Sequence, residues 1–375
     1  MKGYPMRFSI SQNELLNALT VVQKGVSTRS TLAILSGVLL IAEGDSLTLK
    51  TTNGGDLKVK YTANALVEEP GKTVVSAKLL FDIVKNLNDA AVHVTVTNDL
   101  AQIKCDTSAF TIHTINADDF PEFPQYTPNN SITLPYTDFC QMVRRVTRAT
   151  SKDQDRPILT GVLLNVENGK LTMVATDSYR LALTEYEFAV PTPQQFSVVI
   201  SGSFLSEVAS LPKGIGDITI GVADNQIIIT YQNTMLINNR INGNFPNYKN
   251  LLTNSRTYTA QVVVPVNALT AAVRRMALVG EKNAQMKLSL YPRNQFINVA
   301  AQTSEVGSVE DSLTCAGEGE DVQIAFNCAY ILDGLAAIDT EMCSLEVQAA
   351  NRPGILRAGE GQSYLYLIMP VKLQG

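Results

Sequence analysis

Residues 156–185 read RPILTGVLLNVENGKLTMVATDSYRLALTE, and the way this stretch recurs decides the fold. Ile158 to Val166 is an apolar run rich in β-branched residues, Glu167–Asn168–Gly169 is a turn signal, and Leu171 to Thr176 is a return strand. The hairpin ends in short polar residues, Thr176–Asp177–Ser178, ahead of the triplet Tyr179–Arg180–Leu181. A softer copy, LAILSGVLLIAEGDSLTLKTTN, runs from Leu32 to Asn53. A recurring hairpin makes a repeat architecture the first hypothesis.

The landmarks keep a period. Leu47, Leu171 and Phe296 start equivalent strands, 124 and 125 residues apart. Leu79, Phe204 and Tyr330 sit in equivalent helices, and three residues after each comes a carboxylate: Asp82, Glu207, Asp333. Phe120–Pro121 recurs as Phe245–Pro246. Three domains follow, over 1–128, 129–255 and 256–375, with residues 1–5 an extension ahead of the strand MRFSI. Each domain runs helix, strands, helix, strands. The first helix, SQNELLNALTVVQK, has Leu15, Leu16, Leu19 and Val22 at helical spacing and a capping box in Ser11 and Glu14. That order predicts an α+β fold, with two helices packed on antiparallel sheets in every domain. Six similar half-domains suggest a curved array that closes into a ring if two copies meet head to tail.

Composition narrows the class. Hydrophobic residues make up 45% and charged residues 17%, as in a soluble globular chain. No apolar run reaches the roughly 18 residues of a membrane span, and the N-terminus has no signal-peptide core. Cys105, Cys140, Cys315, Cys328 and Cys343 are scattered, which reads as reduced thiols of a cytoplasmic protein with no metal site. His93 and His113 each lie in a strand-like alternation and read as structural. The net charge is −5, yet the six predicted helical segments carry +5 and the remainder −10. Most of the positive charge is Arg144, Arg145, Arg148, Lys152, Arg274, Arg275 and Lys282. A basic helix layer against acidic strands suits phosphate contact without base reading. No aromatic residues interleave with these cations, which argues against a single-strand stacking platform.

The threefold repeat, the start MRFSISQNELLNAL, the block RPILTGVLL…LTMVATDSYRLALTE, the segment NFPNYKNLL and the ending YLIMPVKL resemble the bacterial DNA polymerase III beta subunit family, the sliding clamps, over residues 6–373. The resemblance implies three DNA-clamp domains, a head-to-tail homodimeric ring around double-stranded DNA, and no cofactor. It implies a cleft that takes a short peptide from the polymerase III alpha subunit, the clamp loader, other polymerases and repair proteins. Carried over by position, that cleft comprises Leu159, Thr176, Tyr179, Arg180, Leu181, Pro246, Leu251, Tyr330, Leu367, Met369, Pro370 and Val371. Arg180 and Thr176 are expected to offer donors to the peptide. The family's DNA contacts fall on Arg29, Arg148 and Lys152, and its subunit contacts on Phe110, Ile112 and Leu278. Ser178 stands where the family commonly has Gly, Asn250 where a basic residue is frequent and Thr253 where Pro is frequent.

Two competing readings stand beside this one. A paralogous clamp for repair or for resistance to a clamp inhibitor would share every motif. A hydrolase would have to use Asp118, Asp119 or Asp177, each at a turn where Asp is favoured for backbone reasons. Neither a phosphate-binding GxxxxGK[ST] nor a GxSxG motif is present.

Overall fold

The computed structural model describes residues 5–27, 32–123, 127–190, 192–253, 258–279, 284–303, 306–361 and 363–372. Among them one motif, strand–helix–three strands, occurs six times. The first copy is β1 (Met6–Ser11), α1 (Gln12–Val22), β2 (Gly37–Glu43), β3 (Ser46–Thr52) and β4 (Lys58–Asn64). After a short β5 (Leu66–Glu69) comes the second: β6 (Gly71–Ser76), α2 (Ala77–Lys85), β7 (Ala91–Thr97), β8 (Leu100–Cys105) and β9 (Ser108–His113). The third is β10 (Asn130–Pro135), α3 (Tyr136–Val146), β11 (Gly161–Glu167), β12 (Lys170–Thr176) and β13 (Arg180–Glu187). The fourth is β14 (Phe196–Ser201), α4 (Gly202–Ala209), β15 (Asp217–Val222), β16 (Gln226–Tyr231) and β17 (Thr234–Asn239). A short helix, α5 (Tyr248–Thr253), precedes the fifth: β18 (Ala260–Pro265), α6 (Val266–Val279), β19 (Gln285–Tyr291), β20 (Phe296–Thr303) and β21 (Gly307–Thr314). After β22 (Ala316–Gly319), the sixth is β23 (Val322–Asn327), α7 (Cys328–Leu335), β24 (Met342–Val347), β25 (Gly354–Ala358) and β26 (Tyr364–Ile368).

Local chemistry explains these boundaries. The Ser11 side chain accepts the Glu14 N–H at 3.2 Å, as the capping pattern predicts. Asn168 and Gly169 both take positive φ, 53° and 73°, so the β11–β12 turn is of the primed kind that matches strand twist. One sequence expectation is corrected: β11 begins at Gly161, because Pro157–Thr160 forms a 3₁₀ turn. Pro157 fixes its φ, and the Thr160 hydroxyl donates back to the Pro157 carbonyl at 2.7 Å. α5 was not expected either, since its six residues are too few for a periodic signal.

All strand pairs among the named elements are antiparallel, and the halves exchange their first strands. β1 pairs β7 and β6 pairs β2; β10 pairs β15 and β14 pairs β11; β18 pairs β24 and β23 pairs β19. The chain forms two compact units. One holds residues up to Tyr136 with Ser210–Arg240, and it contains the sheets β5-β1-β7-β8-β9 and β10-β15-β16-β17-β4-β3-β2-β6. In it Leu15, Ala18, Leu19 and Val22 of α1 are buried, and α1 packs on β3 and β4, where Leu47, Leu49 and Val59 are buried too. The other unit holds Thr137–Ala209 with the chain from Ile241, and it contains β14-β11-β12-β13-β26-β25-β24-β18-β22 and β21-β20-β19-β23. There α6 buries Leu269, Ala272, Val273 and Met276 and packs against α7, which buries Ile331 and Leu335.

Candidate functional site: an apolar sheet face with a polar turn

In the second unit the sheet registers stack apolar residues into two rows. Val199, Leu163, Val174, Leu183 and Leu365 face one another across β14, β11, β12, β13 and β26. One step along, Thr176, Leu181, Leu367 and Ile355 form the next row. Side chains two residues apart on a strand share a face, so the rows make one continuous apolar surface. Tyr248 joins this cluster, and Ile158, Ile241, Phe245 and Leu252 pack partly buried against it. Of the predicted cleft residues, Leu181 and Leu367 belong to the cluster and Leu159 is buried. Pro246 is half-buried, while Leu251 on α5 and Met369 just past β26 are exposed.

The row ends in the turn between β12 and β13. The Asp177 carboxylate accepts the N–H groups of Tyr179 and Arg180 at 2.9 and 3.0 Å. The Thr176 hydroxyl donates to the Arg180 carbonyl at 2.7 Å. Ser178 adopts a φ of 81°, a left-handed conformation that favours glycine. Thus the position where this sequence departs from the expected Gly is one where the backbone needs it.

Arg180 anchors the turn from below. Its Nε donates to Asp177 at 2.9 Å, Nη1 to Asp333 at 2.5 Å and to the Tyr366 hydroxyl at 3.1 Å, and Nη2 to the Arg148 carbonyl at 2.6 Å. The Tyr330 ring covers the guanidinium at 4.5 Å, and Tyr179 stacks outside Tyr330 with centroids 6.4 Å apart. Burial alone would make Arg180 less basic, but Tyr366, Asp333 and Asp177 outweigh it and leave it more basic than usual. The expected donor role for Arg180 and Thr176 is therefore corrected: the Thr176 hydroxyl and nearly all the Arg180 donors are occupied within the fold. Arg180 shapes the turn rather than reaching for a ligand. The chain end is clipped to the same turn, with the Met369 N–H donating to the Tyr179 carbonyl at 2.8 Å. The Val371 N–H donates to the Ala325 carbonyl at 2.9 Å, which leaves Pro370 and Val371 half-buried.

The other expected residues are distributed elsewhere. Arg148 is half-exposed and ion-paired to Asp333 at 3.3 Å, and Lys152 is exposed. Arg29 and Lys282 lie outside the described residues, as do residues 1–4 and the Thr253 side chain. The basic helix layer carries less free charge than the sequence count implied. Arg144 pairs with Asp339 at 2.5 Å, Arg275 pairs with Asp311, and Arg145 is buried, donating to Thr184 at 3.4 Å. Phe110 and Ile112 lie on β9, the last strand of its sheet; Phe110 is 40% exposed and Ile112 already buried. Leu278 on α6 is 80% exposed.

The carboxylates considered for catalysis are engaged in ion pairs and turns. Asp118 pairs with Lys72 at 2.6 Å, Asp118 and Asp119 sit in a 3₁₀ turn capped by Asn116, and Asp177 belongs to the Arg180 network. Cys105, Cys315, Cys328 and Cys343 are buried, with burial pushing the Cys343 thiol up to about 12. Among the described residues no cluster could hold a metal ion, and no helix is long and apolar enough to cross a membrane.

Sequence reasoning missed Leu163, Val174, Leu365 and Ile355, although alternation back from the predicted Thr176 and Leu367 would have found Val174 and Leu365. It also missed Tyr248 and Leu252, an i, i+4 pair within NFPNYKNLL, and Tyr366, the hydroxyl partner of Arg180. Asp333 was noticed only as a repeated carboxylate; its two arginine partners are far away in sequence.

Three consecutive family matches cover the chain. They are the N-terminal, central and C-terminal domains of the DNA polymerase III beta subunit, over residues 6–124, 133–247 and 255–372. The beta sliding clamp of Synechococcus elongatus is 30% identical over 98% of this chain and 100% of its own length. That of Bacillus subtilis is 28% identical, with the same coverage. Among solved structures, the sliding clamp of Bacillus subtilis superposes with a TM-score of 0.92 at 27% identity, over 98% of this chain and 100% of that one. A Pseudomonas aeruginosa sliding clamp bound to griselimycin gives 0.92 at 28% identity, with the same coverage.

Proposed function

The chain belongs to the DNA polymerase III beta subunit family, and from that premise we propose that it is the sliding clamp that tethers a replicative polymerase to its template. One observation carries this reading: three consecutive clamp-domain matches lie on six copies of one strand–helix–three-strand unit. The domains divide at 1–128, 129–255 and 256–375. Two copies meet head to tail and enclose duplex DNA in the cytoplasm. Arg29, Arg148 and Lys152 contact phosphates, so affinity is low, salt-sensitive and indifferent to sequence. Phe110, Ile112 and Leu278 lie at the joint between copies. The protein performs no bond chemistry.

The apolar face beside the 176–180 turn receives a short peptide from the polymerase III alpha subunit, the clamp loader, other polymerases and repair proteins. Its occupant is a segment with a Gln, an aliphatic residue and a terminal Leu–Phe pair. The Leu–Phe end enters between Leu159, Thr176, Leu181, Pro246 and Val371, with Met369 against the middle. Burying two such side chains is worth roughly 3–6 kcal/mol before ordering costs, which points to micromolar affinity.

Retention tests the assembly. After loading, the protein remains on closed circular DNA and is lost when the circle is linearised; equal retention on both overturns topological binding. Titration of a fluorescent peptide against the intact chain and one lacking 369–375 tests the cleft. Equal binding by both overturns its assignment.

A further inference from the structure

A cavity of about 410 Å³ lies wholly inside the second unit, between α3, the end of β13 and the loop leading into β26. That volume suits a small molecule. Asp138, Gln141, Met142 and Arg145 line it from α3, at the i, i+3, i+4, i+7 spacing of one helix face. Tyr186 and Ser363 line it from β13 and the loop. Thr184 and Tyr186 alternate with Leu183 and Glu185 along β13, so this cavity and the apolar face lie on opposite sides of the sheet.

Arg145 is the unusual group in it. The residue is only 5% exposed, yet no carboxylate among the described residues forms an ion pair with it. Its Nη1 donates to the uncharged Thr184 hydroxyl at 3.4 Å, and its Nε is buried without a partner. Asp339 is taken by Arg144 and Gln141. Burial makes the Arg145 guanidinium less basic than usual, and Asp339 offsets this only in part. A buried charge is normally paired, because leaving it unpaired is costly. Nε and Nη2 form the edge of a guanidinium that takes both oxygens of a carboxylate side by side.

Asp138 stands at the other end of the same stripe. Seven residues of helix put the two Cα atoms about 10 Å apart. A helical arginine leans towards the N-terminus, which brings the two charges to roughly 6–8 Å. Glu185 and Glu187 border the cavity as well, but Lys170 holds their carboxylates at 3.2 and 3.3 Å. Buried Met142 gives an apolar wall on α3 between Asp138 and Arg145.

We propose that this cavity binds a small amino carboxylate, its carboxylate on the Nε–Nη2 edge of Arg145 and its ammonium group, several methylenes away, at Asp138. The methylenes lie along Met142. A simple carboxylate or a phosphate would satisfy Arg145 but leave Asp138 unanswered, and phosphate would face it with like charge. Glycine, with its charges on adjacent carbons, is too short to meet both ends.

The test is isothermal titration calorimetry on the full chain, backed by saturation-transfer NMR, with 6-aminohexanoate as the probe. Hexanoate, hexylamine, glycine and inorganic phosphate are titrated beside it. 6-Aminohexanoate should bind, and hexanoate should bind about threefold more weakly for want of the Asp138 contact. Hexylamine and glycine should not bind measurably. Arg145→Met should weaken 6-aminohexanoate at least about tenfold. Asp138→Asn changes the half-exposed end of the stripe and keeps the buried residues intact; it should bind 6-aminohexanoate no more tightly than hexanoate. Phosphate binding as tight as that of 6-aminohexanoate, or an Asp138→Asn chain that still prefers the amino acid, overturns the assignment of a dipolar ligand. Absence of 6-aminohexanoate binding by both methods at millimolar concentration overturns the site.

Discussion

Replacing Asp333 by alanine removes the carboxylate that joins α7 to the Arg180 turn. Its contact to Arg180 is short and largely buried, with the arginine side chain only 10% exposed. A hydrogen bond to a charged group in that setting is worth about 1.5–3 kcal/mol. The contact to Arg148 is half-exposed at 3.3 Å and adds about 0–1 kcal/mol. Arg180 keeps Asp177, Tyr366 and the Arg148 carbonyl, so it is not left as an isolated buried charge. The expected loss is therefore about 1.5–4 kcal/mol, and Asp333→Asn, which keeps an acceptor, should lose roughly half of that. Urea denaturation should show a lower midpoint at unchanged slope. Peptide affinity should fall with it, because the Arg180 and Tyr179 carbonyls hold the Thr176 hydroxyl and the Met369 N–H. Asp339→Ala is the control, since its direct contacts are with half-exposed Arg144 and with Gln141, and it should cost no more than about 1 kcal/mol. If Asp333→Ala lies within about 0.5 kcal/mol of the parent, or matches Asp339→Ala, the network does not hold the turn.

Ser178→Gly should stabilise the protein by about 0.5–1 kcal/mol, because relief of a left-handed φ exceeds the added flexibility of the unfolded chain; a lowered urea midpoint would contradict strain at this turn. Asp339 bears on acid stability. Burial would raise its pKa, but the Gln141 hydrogen bond and Arg144 outweigh this and hold it below the usual carboxylate range. A depressed folded pKa gives stability that is complete above the unfolded value near 4 and is lost as pH falls through the lower folded value, so Asp339→Asn should flatten the acid limb of a stability–pH curve and leave pH 7–8 parallel to the parent. Leu278→Asp changes an exposed side chain and should leave folding within about 0.5 kcal/mol, while sedimentation should show the dimer shifting towards monomer.

Period, helix caps and turn chemistry were legible because they are local or repeat along the chain. Ser11 with Glu14 and Asn168–Gly169 each specify a conformation through neighbours only, and both adopt it. The α+β class with antiparallel sheets followed from the order of elements, and the three family matches bear out the threefold repeat. What could not be read was the exchange of first strands between halves, since residues about 80 positions apart must pair and many registers have similar alternation. The Arg180 network was hidden for the same reason: Asp333 and Tyr366 lie 153 and 186 residues away. The charge count also misled. Arginines on α3 looked like a free basic face, but their carboxylate partner Asp339 comes from distant sequence.

The pairing of β13 with β26 holds the apolar face together. In the β13–β26 join, Leu181 faces Leu367, Ala182 faces Tyr366 and Leu183 faces Leu365, with five of these six residues buried. Arg180 beside them is clamped by Asp177 and Asp333. Separating those strands would expose both apolar rows of the sheet face and strand a buried guanidinium, each several kcal/mol of cost. The apolar face and the 176–180 turn both lie on this pairing, so a change that parts the two strands removes both together.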